Sequence, residues 1–436
     1  MSLSIEADWE RLDAGAPEER ACFAAIGIFS GSIELTRAED AFVGRVRSHV
    51  HLSAYKLAEW LAWNWWRQRW EPHSQAPDWA MAHRLTTIGG GYVWPNISII
   101  SDGERITLVA KPTELNAAEP LHYIADVAVV VRAVEFEDVV SRFIEQVRGQ
   151  LRVEAIETTN LDHVWDDVCR ERQDAESATR RRVEALLGFD PDEADAALLE
   201  RLIIEATALG EHAIRELAAM SFGGGEVPTA DNLEEMARYT GFDSRPRDVV
   251  RLQGEANLSP IGHVAAWRRG AEAAQALRAQ ERLGSAPIAD KQLADMAGVA
   301  AQTLEDLHSS ANLSFAKDHS EDSGRIVLRS KWKTGRRFDL TRLLGDRIAG
   351  GVSETLFPAT RARTYRQKLQ RAFAAEFLCP FQALEDMLQG DYSEEMQEES
   401  ANYFNVSSLT VRTLLVNHGR IARNDLDGEF ETALTG

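Results

Sequence analysis

The spacing of apolar residues changes partway along the chain, and this change limits the folds open to it. Up to about residue 155 they alternate with polar residues in short runs; beyond it they recur at helical spacing within strong helix formers. Residues 21–49 alternate around a Gly-Ser bend. Residues 97–110 hold two β-rich runs joined by Asp102-Gly103, a dipeptide that accepts the positive φ angles of a tight hairpin. Between them, Leu57, Trp60, Trp63 and Trp70 recur near helical spacing within residues 52–70, which predicts a helix packed on a sheet. An apolar run at 127–131 leads into 136–151, a strand followed by an amphipathic helix. Residues 1–155 are therefore expected to form an α+β domain that binds a ligand or partner. Residues 156–250 read as a mostly helical connector: 161–220 are strong helix formers, and Asp190-Pro191-Asp192 stands like a helix start. The glycine run at 223–225 and the breaks at Pro228 and Pro246 mark a turn-rich joint. The last domain, 251–436 with its first element near Ala256, is expected to be mainly α with one strand at 324–330.

Charge narrows the function classes. With 48 Lys and Arg against 69 Asp and Glu, the net charge of −21 excludes a generally basic nucleic-acid coat. Charge is nevertheless segregated: residues 325–371 carry thirteen Lys and Arg and three Asp and Glu, a local balance of +10. Such a region suits an anionic partner, DNA included, or internal ion pairs. Lys331, Lys333, Arg336, Arg337, Arg361, Arg363 and Arg366 are its candidate binding residues. No apolar run reaches the roughly 18–20 residues that span a bilayer, and the first residues are acidic, so a cytoplasmic protein without membrane contact is expected. The three cysteines, Cys22, Cys169 and Cys379, are too scattered for a disulfide framework or a zinc knuckle.

Five segments of the last domain share a pattern: AAQALRAQERLG at 273–284, PIADKQLADMAGV at 287–299, GRRFDLTRLLGDRI at 335–348, RQKLQRAFAAEFLCP at 366–380 and ANYFNVSSLTVRTLLVNHGRI at 401–421. This pattern resembles the ImmA/IrrE family of zinc metallopeptidases, most specifically in FAAEFLCP. The resemblance implies a zincin-like fold and company with bacterial mobile-element and stress regulators. In active members the helix after the strand carries HExxH, whose two histidines one turn apart bind zinc while the glutamate activates water. Here Arg342 and Asp346 stand at the histidine positions and Leu343 at the glutamate position. A protonated guanidinium has no lone pair for zinc and leucine cannot take a proton. The acidic third ligand expected shortly before FAA is also missing, since Gln367, Lys368, Leu369 and Gln370 occupy that stretch. The resemblance thus implies a degenerate, non-catalytic domain with no catalytic residues, metal or cofactor. Arg342 and Asp346, oppositely charged at i and i+4, are expected to pair where the imidazoles would have been.

Other constellations are weaker. His49 and His51 share a face if extended, with no acidic or cysteine partner at ligand spacing. Two segments resemble helix-turn-helix units. In the first, Ala294, Gly298, Val299 and Leu304 occupy the diagnostic positions and Gln302 faces a partner, flanked by Asp295, Glu305 and Asp306. In the second, Ala401, Asn405, Val406 and Val411 do so, and a second helix at 407–418 offers Ser408, Thr410, Arg412, Thr413 and Asn417 to phosphates or base edges. Seven of eleven tryptophans fall between Trp60 and Trp94. Trp60, Trp63 and Trp70 read as core; Trp65, Trp66, Tyr92 and Trp94 read as an aromatic platform, with His83 and glycines 89–91 lining a pocket. The resulting expectation is a non-catalytic bacterial regulatory or phage-defence protein that binds DNA or a protein partner, or associates with itself. A peptidase with a displaced zinc site that cleaves a repressor, and an oligomeric scaffold, are the alternatives.

Overall fold

The computed structural model describes residues 2–74, 77–114, 120–222, 225–253, 258–305, 310–351 and 354–422. Glycines 223 and 224, Ala256 and Asp306 lie outside the described residues. The chain divides into two compact units, Met1–Ile203 with Ser221–Gly225 and Ile204–Met220 with Glu226–Gly436.

The first unit mixes three antiparallel sheets with helices. Phe23–Ser30 is flanked by Leu3–Glu10 on one edge and by Ile33–Glu34 and Val50–Ser53 on the other. Arg105–Ala110 lies between Ile97–Ser101 and Val127–Arg132, and Ala38–Asp40 between Arg45–Arg47 and Leu121–Tyr123. The Asp102-Gly103 hairpin forms as expected: Gly103 has φ +94°, and the Asp102 carboxylate accepts from the Glu104 and Arg105 amides. Helix Ala133–Val153 turns Phe136, Val139, Val140, Phe143, Ile144, Val147 and Leu151 inward at i, i+3, i+4 spacing. Burying side chains of this size stabilises the fold by about 1.5–3 kcal/mol each.

A separate connector over 156–250 does not form. Helices Asn160–Gln173 and Ala175–Leu187 place Leu161, Trp165, Val168 and Ala185 in the core of the first unit, whereas helix Glu211–Met220 belongs to the second. Apolar stripes on these helices need a partner surface, and each finds one in the nearer core.

The second unit is also mixed, where a mainly α domain with one strand was expected. Its sheet runs, edge to edge, Phe242–Ser244, Gly324–Val327, Ser314–Asp318, Leu356–Ala359, all neighbours antiparallel. Three of these strands gave no alternation signal because they span only three to five residues. Pro358, which cannot donate to a ladder, sits on the edge strand. Helices Ala266–Gln280, Lys333–Ala349 and Tyr365–Leu378 pack together through two glycines. A Cβ on Gly345 would lie 2.5 Å from the Phe373 ring, and one on Gly270 2.5 Å from the Leu369 carbonyl oxygen. Among the described residues no helix is long and apolar enough to cross a membrane.

Candidate functional site

Two helices bring the degenerate motif positions together. Tyr365–Leu378 is capped by Thr364, whose hydroxyl accepts from the Gln367 amide; Lys333–Ala349 carries Arg342, Leu343 and Asp346 on its buried side. The Arg342–Asp346 pair expected from their spacing is absent. Arg342 instead donates to the Thr360 carbonyl at 2.6 Å and to the side-chain oxygens of Gln367 and Gln370 at 2.6 and 3.4 Å. Asp346, fully buried, accepts two 2.8 Å bonds from Arg366. A bidentate guanidinium arriving from the facing helix satisfies both carboxylate oxygens of Asp346. Arg366 also reaches Glu354 at 3.1 Å, and Glu354 accepts from the His212 amide and ring nitrogen at 2.7 and 3.1 Å. Glu354 raises the pKa of His212. Leu343 is part of the apolar core. Of the three positions, Arg342 is thus tied to neutral oxygens, Leu343 is packed in hydrocarbon, and the Asp346 carboxylate is engaged by a guanidinium. Among the described residues no group of three or more His, Cys, Asp or Glu is placed to hold a metal.

The expected basic face is smaller than its composition suggests. Arg336 and Arg337 are buried at 0% and 1% exposure, which removes them from it. Arg336 donates to the carbonyls of Thr303, Leu328 and Ser330, and Arg337 to Asp290 and the Ile288 carbonyl. Both fasten the first helix-turn-helix-like segment, Asp290–Met296 and Gln302–Glu305, to helix Lys333–Ala349. Arg366 is likewise internal. Lys331 and Arg361 are exposed, Arg363 is half-buried, and exposed Lys333 pairs with Asp290 at 2.6 Å. Sequence reading overlooked Trp332, 78% exposed between the two lysines, and Arg329 at the end of the strand segment. A tryptophan between lysines is a local signal for both.

The second helix-turn-helix-like segment forms as Glu394–Phe404 and Ser408–Asn417, with Asn405 at φ +55° in the turn and Ala401, Val406 and Val411 buried. Its first helix exposes Glu394, Glu395, Glu398 and Glu399. Arg412 is held by Glu394 at 2.8 Å and Gln397 at 3.3 Å. Thr410 is buried, Thr413 donates to the Leu409 carbonyl, and Asn417 is half-buried at the helix end. A row of carboxylates on the helix that would lie along a DNA backbone opposes that use.

In the first unit the aromatic platform is overturned. Trp65, Trp66 and Trp94 are buried, and Tyr92 is half-buried against Trp94. The region read as one helix forms as Ala54–Trp63 and Trp65–Trp70, flanking Asn64. The buried stripe runs through Ala54, Ala58, Leu61 and Trp65, so Trp63 falls on the exposed side and the expected surface pair is core. Trp66 donates to Glu171 at 2.7 Å, and Trp94 to the Gly89 carbonyl at 2.7 Å. His83 does not line a pocket but is fully buried, its Nε2 2.9 Å from Glu71 and its Nδ1 2.8 Å from the Ile99 carbonyl. Glu71 also takes 2.6 and 3.0 Å bonds from Arg67. Both ring nitrogens of His83 thus lie within hydrogen-bond distance of oxygens. Burial pushes the Cys22 thiol up to about 12, which leaves it unsuited to nucleophilic attack. His49 and His51 each pair with a glutamate, Glu6 and Glu10, on a half-exposed sheet face. No family model, curated protein or solved structure matches the chain.

Proposed function

We propose that the chain is a non-catalytic regulatory protein that acts by binding, its second unit being an ImmA/IrrE-like domain in which recognition has replaced hydrolysis. The observation that carries this reading is that hydrogen bonds among arginine, glutamine and aspartate side chains occupy the positions where the resemblance would put a metal's ligands. One terminal nitrogen of Arg342 donates to Thr360 and Gln367, and Asp346 accepts from Arg366. A lone carboxylate already engaged by a guanidinium is a poor zinc ligand, and no base stands where water would be activated. The setting, bacterial gene regulation or defence against mobile elements, follows from the family resemblance alone. The exposed cations Lys331, Lys333 and Arg361 are the surface through which an anionic partner binds. For the Glu394–Asn417 helix pair, a protein partner or a second copy fits better than DNA, because four exposed glutamates repel phosphate. Elemental analysis of the purified full chain tests the non-catalytic reading: zinc far below one per chain is expected, and a stoichiometric metal overturns it.

A further inference from the structure

At one end of the second unit's sheet, cations gather without matching carboxylates. Strand register sets this up. Phe315 opposes Val327 on one side and Pro358 on the other, so the chain leaving the two outer strands passes Arg329 and Thr360-Arg361 on either side of Leu313. The Arg329 amide donates to Ser314 Oγ at 2.8 Å, which holds this end in place. Beneath it lies Arg342, 6% exposed, bonded to the carbonyl of Thr360, the residue preceding Arg361. Arg371 donates to the Ala362 carbonyl at 3.0 Å and completes the group.

The surrounding carboxylates are spoken for. Asp346 and Glu354 engage Arg366, Glu216 accepts from Thr364, and Asp339 accepts from Ser314 at 2.7 Å. Asp339 approaches Arg342 no closer than 4.0 Å. Among the described residues, Arg329 and Arg361 make no ion pair, and the buried Nε of Arg342 has no hydrogen-bond partner. Burial lowers the pKa of Arg342, and Arg329 lowers it further; Arg361 is lowered by desolvation and again by Arg329. Burial, then Arg342, brings Arg371 down to about 9. Among the described residues no acid lies within ion-pair reach of Arg329 or Arg361, which leaves this end complementary to an anion.

We infer that this end of the second unit is a phosphate-binding site, in which Arg329 and Arg361 contact the ligand from the surface and Arg342 supports them from within. The inference rests on reading this unit as a binding rather than a cleaving module, because a catalytic metal would need the volume that Arg342 fills. Planar guanidinium groups match phosphate oxygens two at a time, which favours a phosphomonoester or phosphodiester over a carboxylate-bearing chain. Two sources share that chemistry, a small phosphorylated molecule and the backbone of a single-stranded nucleic acid. Trp332 distinguishes them, since an exposed indole between Lys331 and Lys333 offers a stacking face to a base and nothing to a free phosphate.

The experiment is calorimetric titration of the full chain at low salt with tripolyphosphate, a short single-stranded oligodeoxynucleotide and polyglutamate. Saturable binding of at least one phosphate probe is expected, weakening by at least about tenfold in the Arg329→Gln/Arg361→Gln variant, with a shallower salt dependence. Arg361 is exposed and Arg329 partly so, so this variant keeps its fold, which circular dichroism checks. If Trp332→Ala weakens the oligonucleotide and leaves tripolyphosphate unchanged, the source is a nucleic acid; if Trp332→Ala leaves both probes unchanged, it is a small phosphorylated ligand. Absence of binding by both phosphate probes, undiminished binding in the double variant, or polyglutamate binding as tightly as either phosphate probe overturns the site. Those failures leave the metal content untouched, whereas stoichiometric zinc would overturn the non-catalytic reading and is measured separately.

Discussion

Arg67 in the first unit and Arg342 in the second are both buried, and they are neutralised in opposite ways. Burial works to lower the pKa of Arg67, but its two bonds to Glu71 raise it overall. Arg342 is lowered, first by burial, because its close partners are a carbonyl and two amide oxygens. A buried cation with a matched carboxylate is a structural part of the fold. One that faces only neutral oxygens keeps most of its charge available to a ligand.

The sharpest way to break this comparison is Glu71→Gln, which leaves the buried Arg67 and His83 facing a neutral amide. Urea denaturation should show a loss of about 3–5 kcal/mol in the first unit's transition. Next in size is Arg336→Ala in the second unit, which strips donors from three buried carbonyls. A loss of about 3 kcal/mol is expected, with phosphate binding unchanged in protein that remains folded. Arg342→Met sharpens the contrast from the other side. It removes a charge with no carboxylate closer than 4.0 Å and leaves the Thr360 carbonyl and the Gln367 and Gln370 side-chain oxygens each short of one donor, so stability should fall by about 1–2 kcal/mol while anion affinity falls. Arg67→Met, by comparison, isolates Glu71 and should cost several times more. The smallest effect is at the solvent end of the Arg366 network. Glu354 raises the His212 pKa above 6.5, so the contribution of this pair is complete below 6.5 and lost as pH rises through the folded-state value. Thermal melts from pH 6 to 9 should show a decline that His212→Gln flattens, by less than about 1 kcal/mol because the imidazole is half exposed.

Local signals were readable from the chain alone. The hairpin at Asp102-Gly103 depends on two residues and their flanks, and helix Ala133–Val153 on a single periodic stripe. Signals that depend on other elements were not. Which stripe of 54–70 turns inward is decided by the elements packed on it, and it runs through Ala54, Ala58, Leu61 and Trp65, leaving Trp63 exposed. Arg336 and Arg337 count as surface charge until the carbonyls of residues 303, 328 and 288 are brought to them by other parts of the unit. At the candidate site, the motif points to positions 342, 343 and 346 and to the stretch 367–370; of these Arg342 meets Gln367 and Gln370, whereas Asp346 meets Arg366 and Leu343 the apolar core. What the spacing could not supply was the choice of partner. Asp346 had an arginine one turn away and took a better-oriented one from the facing helix.

The hairpin between strands Ser314–Asp318 and Gly324–Val327 closes through His319–Ser323, where the His319 amide donates to the Ser323 carbonyl at 2.9 Å. Its length sets which residue of one strand lies across from which residue of the other. Removing a single residue there would slide the pairing and turn alternate side chains to the opposite face. Insertions or deletions at this distant turn would therefore retune or abolish the spacing of Arg329 and Arg361 with every arginine left in place.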